Sequence, residues 1–342
     1  MSIIKHIATA ALAVLLPVSA QAENNTGNPF DFAASKGKAE REAKLAQTDA
    51  ASRVVGGKLA AEGAWPWQVG LMLADREVSA ESHFCGGSMV LDNWILTAAH
   101  CVQHTAKDGS QFVLSPRQFT VIVGTNTLAP GKGDVVPVAA VFPHPKYNPN
   151  GFDNDVALVK LARAPKVAYQ TIRVPTGEFG DILDREGVPT VVTGWGLLAG
   201  GKHPTDMYQA EIQMMDRKQC NRNLIEGRAK VAVKGFSAAA GVMGLTQEDA
   251  QAAWVELTKR AAIPISDNML CSGTYEGGKT ACQGDSGGPL VVGSLSMPQT
   301  IGIVSFGRPT NCKRPRKNSS SSAAIYWSIY TRSSSIAHWV AQ

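Results

Sequence analysis

The feature that most constrains the fold is a series of short apolar segments that begins at Val54 and continues almost to the end of the chain. These segments are rich in Val, Ile and Thr, and Gly, Pro or Asn separates them; examples are WPWQVGLML, SMVLDNWILTA, FTVIVG, DVALVKLA, VPTVVTGWG, PLVVG and TIGIVSFG. Short strands at regular spacing with turn residues between them predict an antiparallel β-barrel or sandwich. The length suffices for one large all-β domain or for two small barrels that share a core.

The N-terminus has the pattern of a secretory signal peptide, predicted over residues 1–22. A short apolar run is followed by Ala20 and Ala22 in a small-x-small arrangement, the pattern that precedes cleavage. A membrane anchor is the alternative, but the run is short for a span and contains Pro17. Export to a periplasm or out of the cell is therefore expected, and an oxidising compartment allows the six cysteines to pair.

Composition gives no indication of a nucleic-acid partner. The formal net charge of +5 is small for 342 residues, and basic residues cluster only in CKRPRKN at 312–318, which predicts a basic surface loop. Residues 23–53 are rich in Ala, Lys and Glu and poor in large apolar side chains, so they could form a solvated helix but no core. The change in composition at Val54 therefore marks a domain boundary.

Two segments near the C-terminus predict helices in an otherwise all-β chain. Within residues 227–262, Thr246 can cap a helix whose apolar stripe includes Ala250, Trp254 and Leu257. We expect this inserted helix to pack on the second half of the fold; a partner-binding helix is the alternative. The terminal SSSIAHWVAQ has Ser ahead of apolar residues at helical spacing and predicts a short closing helix.

The stretch KTACQGDSGGPL places Ser286 between an acidic residue and two glycines. A serine hydroxyl becomes a nucleophile at neutral pH only with a base to take its proton, a carboxylate to orient that base, and donors for the oxyanion. TAAHC supplies His100 at the end of an apolar segment, and NDVAL supplies Asp155 at the start of one. These three residues are the candidates for a catalytic triad.

In these motifs the sequence resembles the trypsin/chymotrypsin-like family of serine proteases. Five elements occur in the family's order, and GWG at 194–196 is a weaker sixth: RVVGG at 53–57, TAAHC at 97–101, NDVAL at 154–158, GDSGGP at 284–289 and SFG at 305–307. The resemblance implies two six-stranded antiparallel Greek-key barrels with the active site in the cleft between them. The first barrel is expected over about 54–175 and the second over about 176–342, with the helical insertion inside the second.

By this resemblance His100 is the general base, Asp155 its orienting carboxylate and Ser286 the nucleophile of a serine endopeptidase. Asp153, two residues from Asp155, is the rival for the carboxylate. The backbone N–H groups of Gly284 and Ser286 are implied to form the oxyanion hole. Further implied features are a hydrogen bond from Ser305 to the buried aspartate and the disulfides Cys85–Cys101, Cys220–Cys271 and Cys282–Cys312.

RVVGG implies a zymogen with residues 23–53 as its propeptide. Cleavage after Arg53 would create an ammonium group on Val54, which the resemblance pairs with Asp285. A buried carboxylate without such a partner is costly, by about 3–5 kcal/mol for a broken buried pair. The oxyanion hole is therefore expected to be malformed before cleavage.

The primary specificity pocket is expected to be neutral. Thr280 occupies the position where relatives that cut after Arg or Lys usually have Asp, and Ala281, Gly307 and Ser328 are the implied walls. An uncharged pocket of medium depth favours Leu, Met, Phe or Tyr at P1, since a hydroxyl cannot offset the desolvation of a buried cation. Acidic and basic P1 residues stay open as alternatives; the acidic one rests on Arg308, Lys313, Arg314 and Arg316 in the adjoining loop.

No metal or cofactor is expected, because the loop at 125–136 contains a single acid, Asp134. The expected partners are protein or peptide substrates and an activating protease, and a monomer is expected. Two alternatives to a free protease are a catalytically dead binding protein with the same fold and a protease that its insertion docks to a partner.

Overall fold

A computed structural model describes the residues 57–198, 202–260, 264–274, 279, 281–292, 298–307, 326–332 and 339. Several sequence-based predictions lie outside these residues: the signal peptide, the propeptide, Arg53, Val54, Thr280, Cys312 and the basic loop at 312–318. The expected closing helix also lies outside them except for Trp339, which is helical and packs on the first core.

The N-terminal half of the described chain forms a closed barrel of six antiparallel strands in the order β2-β3-β4-β9-β8-β7. Its core includes the fully buried side chains of Trp67, Leu71, Ile95 and Phe119. The strand bounds are Gln68–Leu73 (β2), His83–Leu91 (β3), Trp94–Thr97 (β4), Phe119–Val123 (β7), Asp134–Pro143 (β8) and Ala157–Leu161 (β9). A small hairpin, Gln103–Thr105 (β5) with Gln111–Val113 (β6), lies outside the ring.

The C-terminal half forms a second antiparallel ring in the order β11-β10-β13-β14-β15-β12. Pairing of β11 with β12, Met214 opposite Ser272, closes it. The bounds are Pro189–Gly194 (β10), Tyr208–Met214 (β11), Met269–Thr274 (β12), Pro289–Val292 (β13), Gln299–Gly307 (β14) and Tyr326–Arg332 (β15), and β1 (Lys58–Leu59) adds to the edge of β11. The predicted pair of six-stranded antiparallel barrels is thus confirmed.

The two barrels meet along an interface that is both apolar and polar. Val291 and Ile303 of the second barrel belong to the hydrophobic cluster of the first. Between the barrels, the buried hydroxyl of Thr193 donates to Gln68 at 2.6 Å. Two short helical turns, Ala99–Cys101 and Pro116–Gln118, and the helix Gly177–Leu183 (α1) complete the framework outside the insertion.

The insertion contains two helices rather than the single helix expected. The second, Gln247–Lys259 (α3), begins after the predicted cap Thr246, whose hydroxyl accepts from the Asp249 N–H. A longer helix precedes it, Arg217–Val242 (α2), and Asp216 caps it by accepting from two N–H groups. The sequence of α2 has no continuous apolar stripe, so hydrophobic periodicity does not predict this helix. Its capping residue, Asp216, is a local signal from which the start of the helix could be predicted.

The insertion also packs differently from the expectation. Trp254 of α3 contacts Phe236 of α2, with ring centroids 5.4 Å apart, and Leu257 stays 54% exposed. The helix α3 therefore packs on its neighbouring helix, because α2 lies beside it and buries part of its apolar stripe. Of the helices in the described ranges, none combines the length and apolarity needed to cross a bilayer.

Candidate active site

The position of His100 follows from the strand and turn that precede it. Strand β4 ends at Thr97, and His100 lies in the short turn Ala99–Cys101 that follows. Cys101 forms a disulfide with Cys85 of β3, so this turn is attached covalently to the barrel wall. The imidazole is 11% exposed, which leaves one edge open to the cleft.

Asp155 lies beneath His100 and is completely buried. One carboxylate oxygen is 2.7 Å from His100 Nδ1, and the other accepts from the His100 backbone N–H at 2.8 Å. Since an ionised carboxylate can only accept, Nδ1 bears a proton, and in the neutral imidazole the lone pair is then on Nε2. The carboxylate thereby fixes both the tautomer and the orientation of the ring.

The second barrel holds the same aspartate from the other side. Ser305 in β14 donates its hydroxyl to Asp155 Oδ2 at 2.5 Å, and Thr331 in β15 donates to the Asp155 carbonyl at 2.8 Å. The bond from Ser305 to the carboxylate is charge-assisted and therefore stronger than the neutral bond from Thr331. Asp155 is therefore fixed by both barrels.

Ser286 lies in a tight turn at the wall of the first barrel. The Gly86 N–H donates to the Ser286 carbonyl at 2.7 Å. Gly287 has φ +81°, and a Cβ there would overlap Thr97 and the Gly86 carbonyl, so only glycine permits this approach. The turn thus reaches the strand end that precedes His100.

Among the described residues no hydrogen bond joins the Ser286 hydroxyl to the His100 ring. In ligand-free sites this bond is often long.

The backbone N–H groups of the serine turn fall into two sets. Those of Asp285, Gly287 and Gly288 donate to carbonyls of the turn or of β14. Those of Gly284 and Ser286 have no acceptor in the part of the chain that the structure describes. Two unpaired N–H groups on alternate residues of a tight turn are suited to bind a developing oxyanion.

Asp285 is buried directly behind these donors, 4% exposed. Its oxygens accept from the N–H groups of Gly196 at 2.8 Å and Cys282 at 2.9 Å. Burial raises the pKa of Asp285 from 3.8 to about 6, and the two hydrogen bonds lower it only in part. A Cβ at Gly194 or Gly196 would overlap this carboxylate, which gives the GWG motif its physical reason. No cationic side chain of the described ranges pairs with Asp285.

The predicted pocket is described only in part. Ala281 is buried, and Gly307 and Ser328 are opposite each other in the β14–β15 pairing. Thr280, on which the specificity prediction depends, lies outside the described residues. Of the implied disulfides, Cys85–Cys101 and Cys220–Cys271 are present, and the third involves Cys312, which is not described.

Asp134, the one acid of the loop at 125–136, pairs with Arg163. Its two oxygens accept from the guanidinium at 2.6 and 2.7 Å, and the Lys166 N–H donates to it as well. The hydrogen bonds from Arg163 lower the pKa of Asp134 to about 2. This carboxylate is thus committed to an internal ion pair.

Two residues near the site make contacts that were not predicted from the sequence. Phe152 places its ring edge against His100, with centroids 5.7 Å apart. Asp153, considered only as a rival to Asp155, instead accepts from Ser266 and Asn268 at the exit of the insertion. No local pattern announces either contact, because the partners of both residues are distant in sequence.

Comparison with known proteins finds one matching family model and several relatives of this chain. The family model described as Trypsin matches residues 54–340. "Trypsin Blo t 3" of Blomia tropicalis is 32% identical over 294 residues, which cover 84% of this chain and 84% of that protein. "Transmembrane protease serine 9" of Rattus norvegicus is 30% identical over 300 residues, or 87% of this chain. "Mannan-binding lectin serine protease 1" of Rattus norvegicus is 30% identical over 265 residues, or 75% of this chain.

The chain corresponds to very different shares of these relatives. The match spans only 22% of "Transmembrane protease serine 9" and 32% of "Mannan-binding lectin serine protease 1", against 84% of "Trypsin Blo t 3". The similarity therefore concerns the part of those larger proteins that resembles residues 54–340.

Proposed function

The chain belongs to the trypsin family of serine proteases, and we propose that it cleaves peptide bonds through Ser286, His100 and Asp155. The observation that supports this most directly is the hydrogen-bonded series from Ser305 through Asp155 to His100. It keeps a proton on Nδ1, so that Nε2 of the neutral imidazole can accept the proton that a general base takes. As a member of this family the protein is a serine-type endopeptidase.

The proposed reaction follows from this geometry. His100 Nε2 takes the proton of the Ser286 hydroxyl as its oxygen attacks the substrate carbonyl. The N–H groups of Gly284 and Ser286 bind the oxyanion, and buried Asp155 stabilises the imidazolium that forms. His100 then gives its proton to the leaving amine, and water hydrolyses the acyl-enzyme by the reverse sequence of proton transfers.

The test is hydrolysis of a peptide library varied at P1 by the purified chain, cleaved at Arg53 with added trypsin that is then removed. Ser286→Ala, treated identically, is the blank. We expect cleavage by the native chain only, with Leu, Met, Phe or Tyr preferred, because Thr280 supplies no counter-charge for a buried cation. Equal turnover by native and blank would refute the proposed catalysis, and preference for Arg or Lys would refute the neutral pocket alone.

Activation and secretion form the second part of the proposal. We infer that the chain is exported and stays inactive until cleavage after Arg53, when the Val54 ammonium pairs with Asp285. The raised pKa of buried Asp285 supports this, since the carboxylate lies next to the oxyanion donors and lacks a cation among the described residues. If P1 is apolar, another protease must begin activation. Arg53→Gln should be secreted, folded and inactive; full activity without processing would contradict the model.

A further inference from the structure

The loop that precedes Asp155 has an unusual backbone. Phe152 has φ 57° and Asn154 has φ 53°, and they are the only non-glycine residues with positive φ in the described chain. Asparagine tolerates this left-handed region, whereas for a bulky aromatic residue it is a genuine outlier. Such a conformation persists only where its surroundings fix it strongly. The residue between them, Asp153, makes several of the contacts that do so, and Asn154 Nδ2 adds a hydrogen bond to the Lys146 carbonyl at 3.2 Å.

Every oxygen of Asp153 accepts a hydrogen bond. Its Oδ1 accepts from Ser266 Oγ at 2.6 Å and from Asn268 Nδ2 at 3.2 Å. Its Oδ2 accepts from Asn154 Nδ2 at 3.3 Å, and its carbonyl accepts from the Asn148 N–H at 3.0 Å. Asp153 is thus connected on one side to its own loop and on the other to the second barrel.

The two donors belong to a segment that is itself firmly held. Residues 265–268 connect the helical insertion to β12, and Asn221 in α2 bonds both the N–H and the carbonyl of Ile265, at 2.8 and 3.1 Å. Arg217, also in α2, pairs with Asp267 at 2.6 Å. The first turns of α2 and the exit of the insertion therefore form one bonded unit, to which Asp153 is attached.

The loop held in this way contains two groups that touch His100. The Phe152 ring meets the imidazole edge-on, at 5.7 Å and 84°, and rests on Phe306 at 5.3 Å. The Asp155 carboxylate bonds the same imidazole from below. Because Asp153 lies between the two left-handed residues, its attachment fixes the loop from which Phe152 projects, and it adds to the hydrogen bonds that Asp155 makes with Ser305 and Thr331.

We propose that Asp153 is a positioning residue of the protease: it attaches the His100-supporting loop to the base of the helical insertion and so keeps Phe152 and Asp155 against the general base. The proposal rests on the proposed function of His100 and Asp155. It also gives the insertion a role in supporting the active site, through α2 and residues 265–268.

The experiment compares Asp153→Ala with Asp153→Asn in the activated chain, with kcat and KM measured on one small peptide. Asn keeps an Oδ1 acceptor for both Ser266 and Asn268 and loses only the longer bond from Asn154, so we expect its kcat within about threefold of the native value. Alanine removes the attachment, and kcat should fall about tenfold or more with little change in KM, since small misplacements of reacting groups are costly. The fluorophosphonate labelling rate of Ser286 should fall in parallel.

The matched variants remove the two side chains that donate to Asp153 from the exit of the insertion. Ser266→Ala with Asn268→Ala should reproduce the loss seen in Asp153→Ala, and combining all three should add nothing, as for groups that act through one contact. Lys58→Ala, which breaks the exposed ion pair with Glu211, is the control and should leave kcat unchanged. Thermal unfolding identifies any variant that fails to fold.

A folded Asp153→Ala enzyme with native kcat would overturn the proposal. So would an Asp153→Asn enzyme as impaired as the alanine variant, since the charge rather than the attachment would then matter. Activity of the native chain against the Ser286→Ala blank reports separately on the proposed function. Loss of that difference would refute the catalysis itself, whereas the Asp153 series tests only the support of His100.

Discussion

The pKa of Asp285 predicts that the uncleaved chain loses stability as the pH rises. In the folded state this pKa is raised from 3.8 to about 6, so between these values the folded state binds more protons than the unfolded state. The free energy of unfolding must then fall as the pH increases through this window. A shift of about two units corresponds to about 3 kcal/mol, at 1.36 kcal/mol per unit.

Cleavage after Arg53 should remove this pH-dependent loss of stability. An ammonium group on Val54 favours the charged carboxylate and lowers the Asp285 pKa, because opposite charges in a buried site attract strongly. Between pH 4 and pH 7, therefore, the cleaved form should gain about 3 kcal/mol in unfolding free energy relative to the uncleaved form. Groups whose environment is the same in both forms cancel in this difference.

The assay is urea unfolding at several pH values, with Ser286→Ala in both forms to prevent self-digestion and Arg53→Gln added to the uncleaved form. Asp285→Asn is the control, because it removes the titrating group. With this substitution the unfolding free energies of the cleaved and uncleaved forms should change with pH in parallel. If the unfolding free energies of the two forms changed with pH in parallel while Asp285 was present, the reasoning would be refuted, because the carboxylate would then have the same partner before and after cleavage.

The remaining predictions concern groups around His100. Asp155→Asn should leave the fold intact and lower kcat by about 10⁴-fold, the magnitude found in related triads, because the amide favours the wrong tautomer; peptide hydrolysis measures this. Gly287→Ala should abolish most activity and lower the melting temperature, since its Cβ would overlap Thr97. Gly109→Ala, also at positive φ but with open space around its Cβ, should keep the activity and lose less stability, because only its backbone is strained. Cys85→Ser with Cys101→Ser should cost about 3 kcal/mol in urea unfolding, the value for a loop of this length, and an unchanged midpoint would contradict it.

The parts of the protein that follow from local chemistry could be predicted from the sequence. The alternation of apolar segments and turn residues predicted an antiparallel barrel or sandwich, since each strand needs only its own pattern and the turns beside it. The two barrels followed from the family resemblance. The Gly-rich serine turn and the helix cap at Thr246 are likewise complete within a few residues. The family relationship rests on the same local motifs.

Contacts between distant segments decided the rest. The pairing of Asp153 with Ser266 joins residues 113 apart in sequence, and the N–H of Gly196 lies 89 residues from Asp285. No pattern within one segment encodes such pairs. The sequence by itself determined which side chains could do the chemistry, Asp155 among them. Only the tertiary structure decided which groups hold Asp155 against His100, and that burial raises the pKa of Asp285. The physical reason is that pKa values and hydrogen-bond partners depend on what surrounds a group, and here those surroundings come from both barrels.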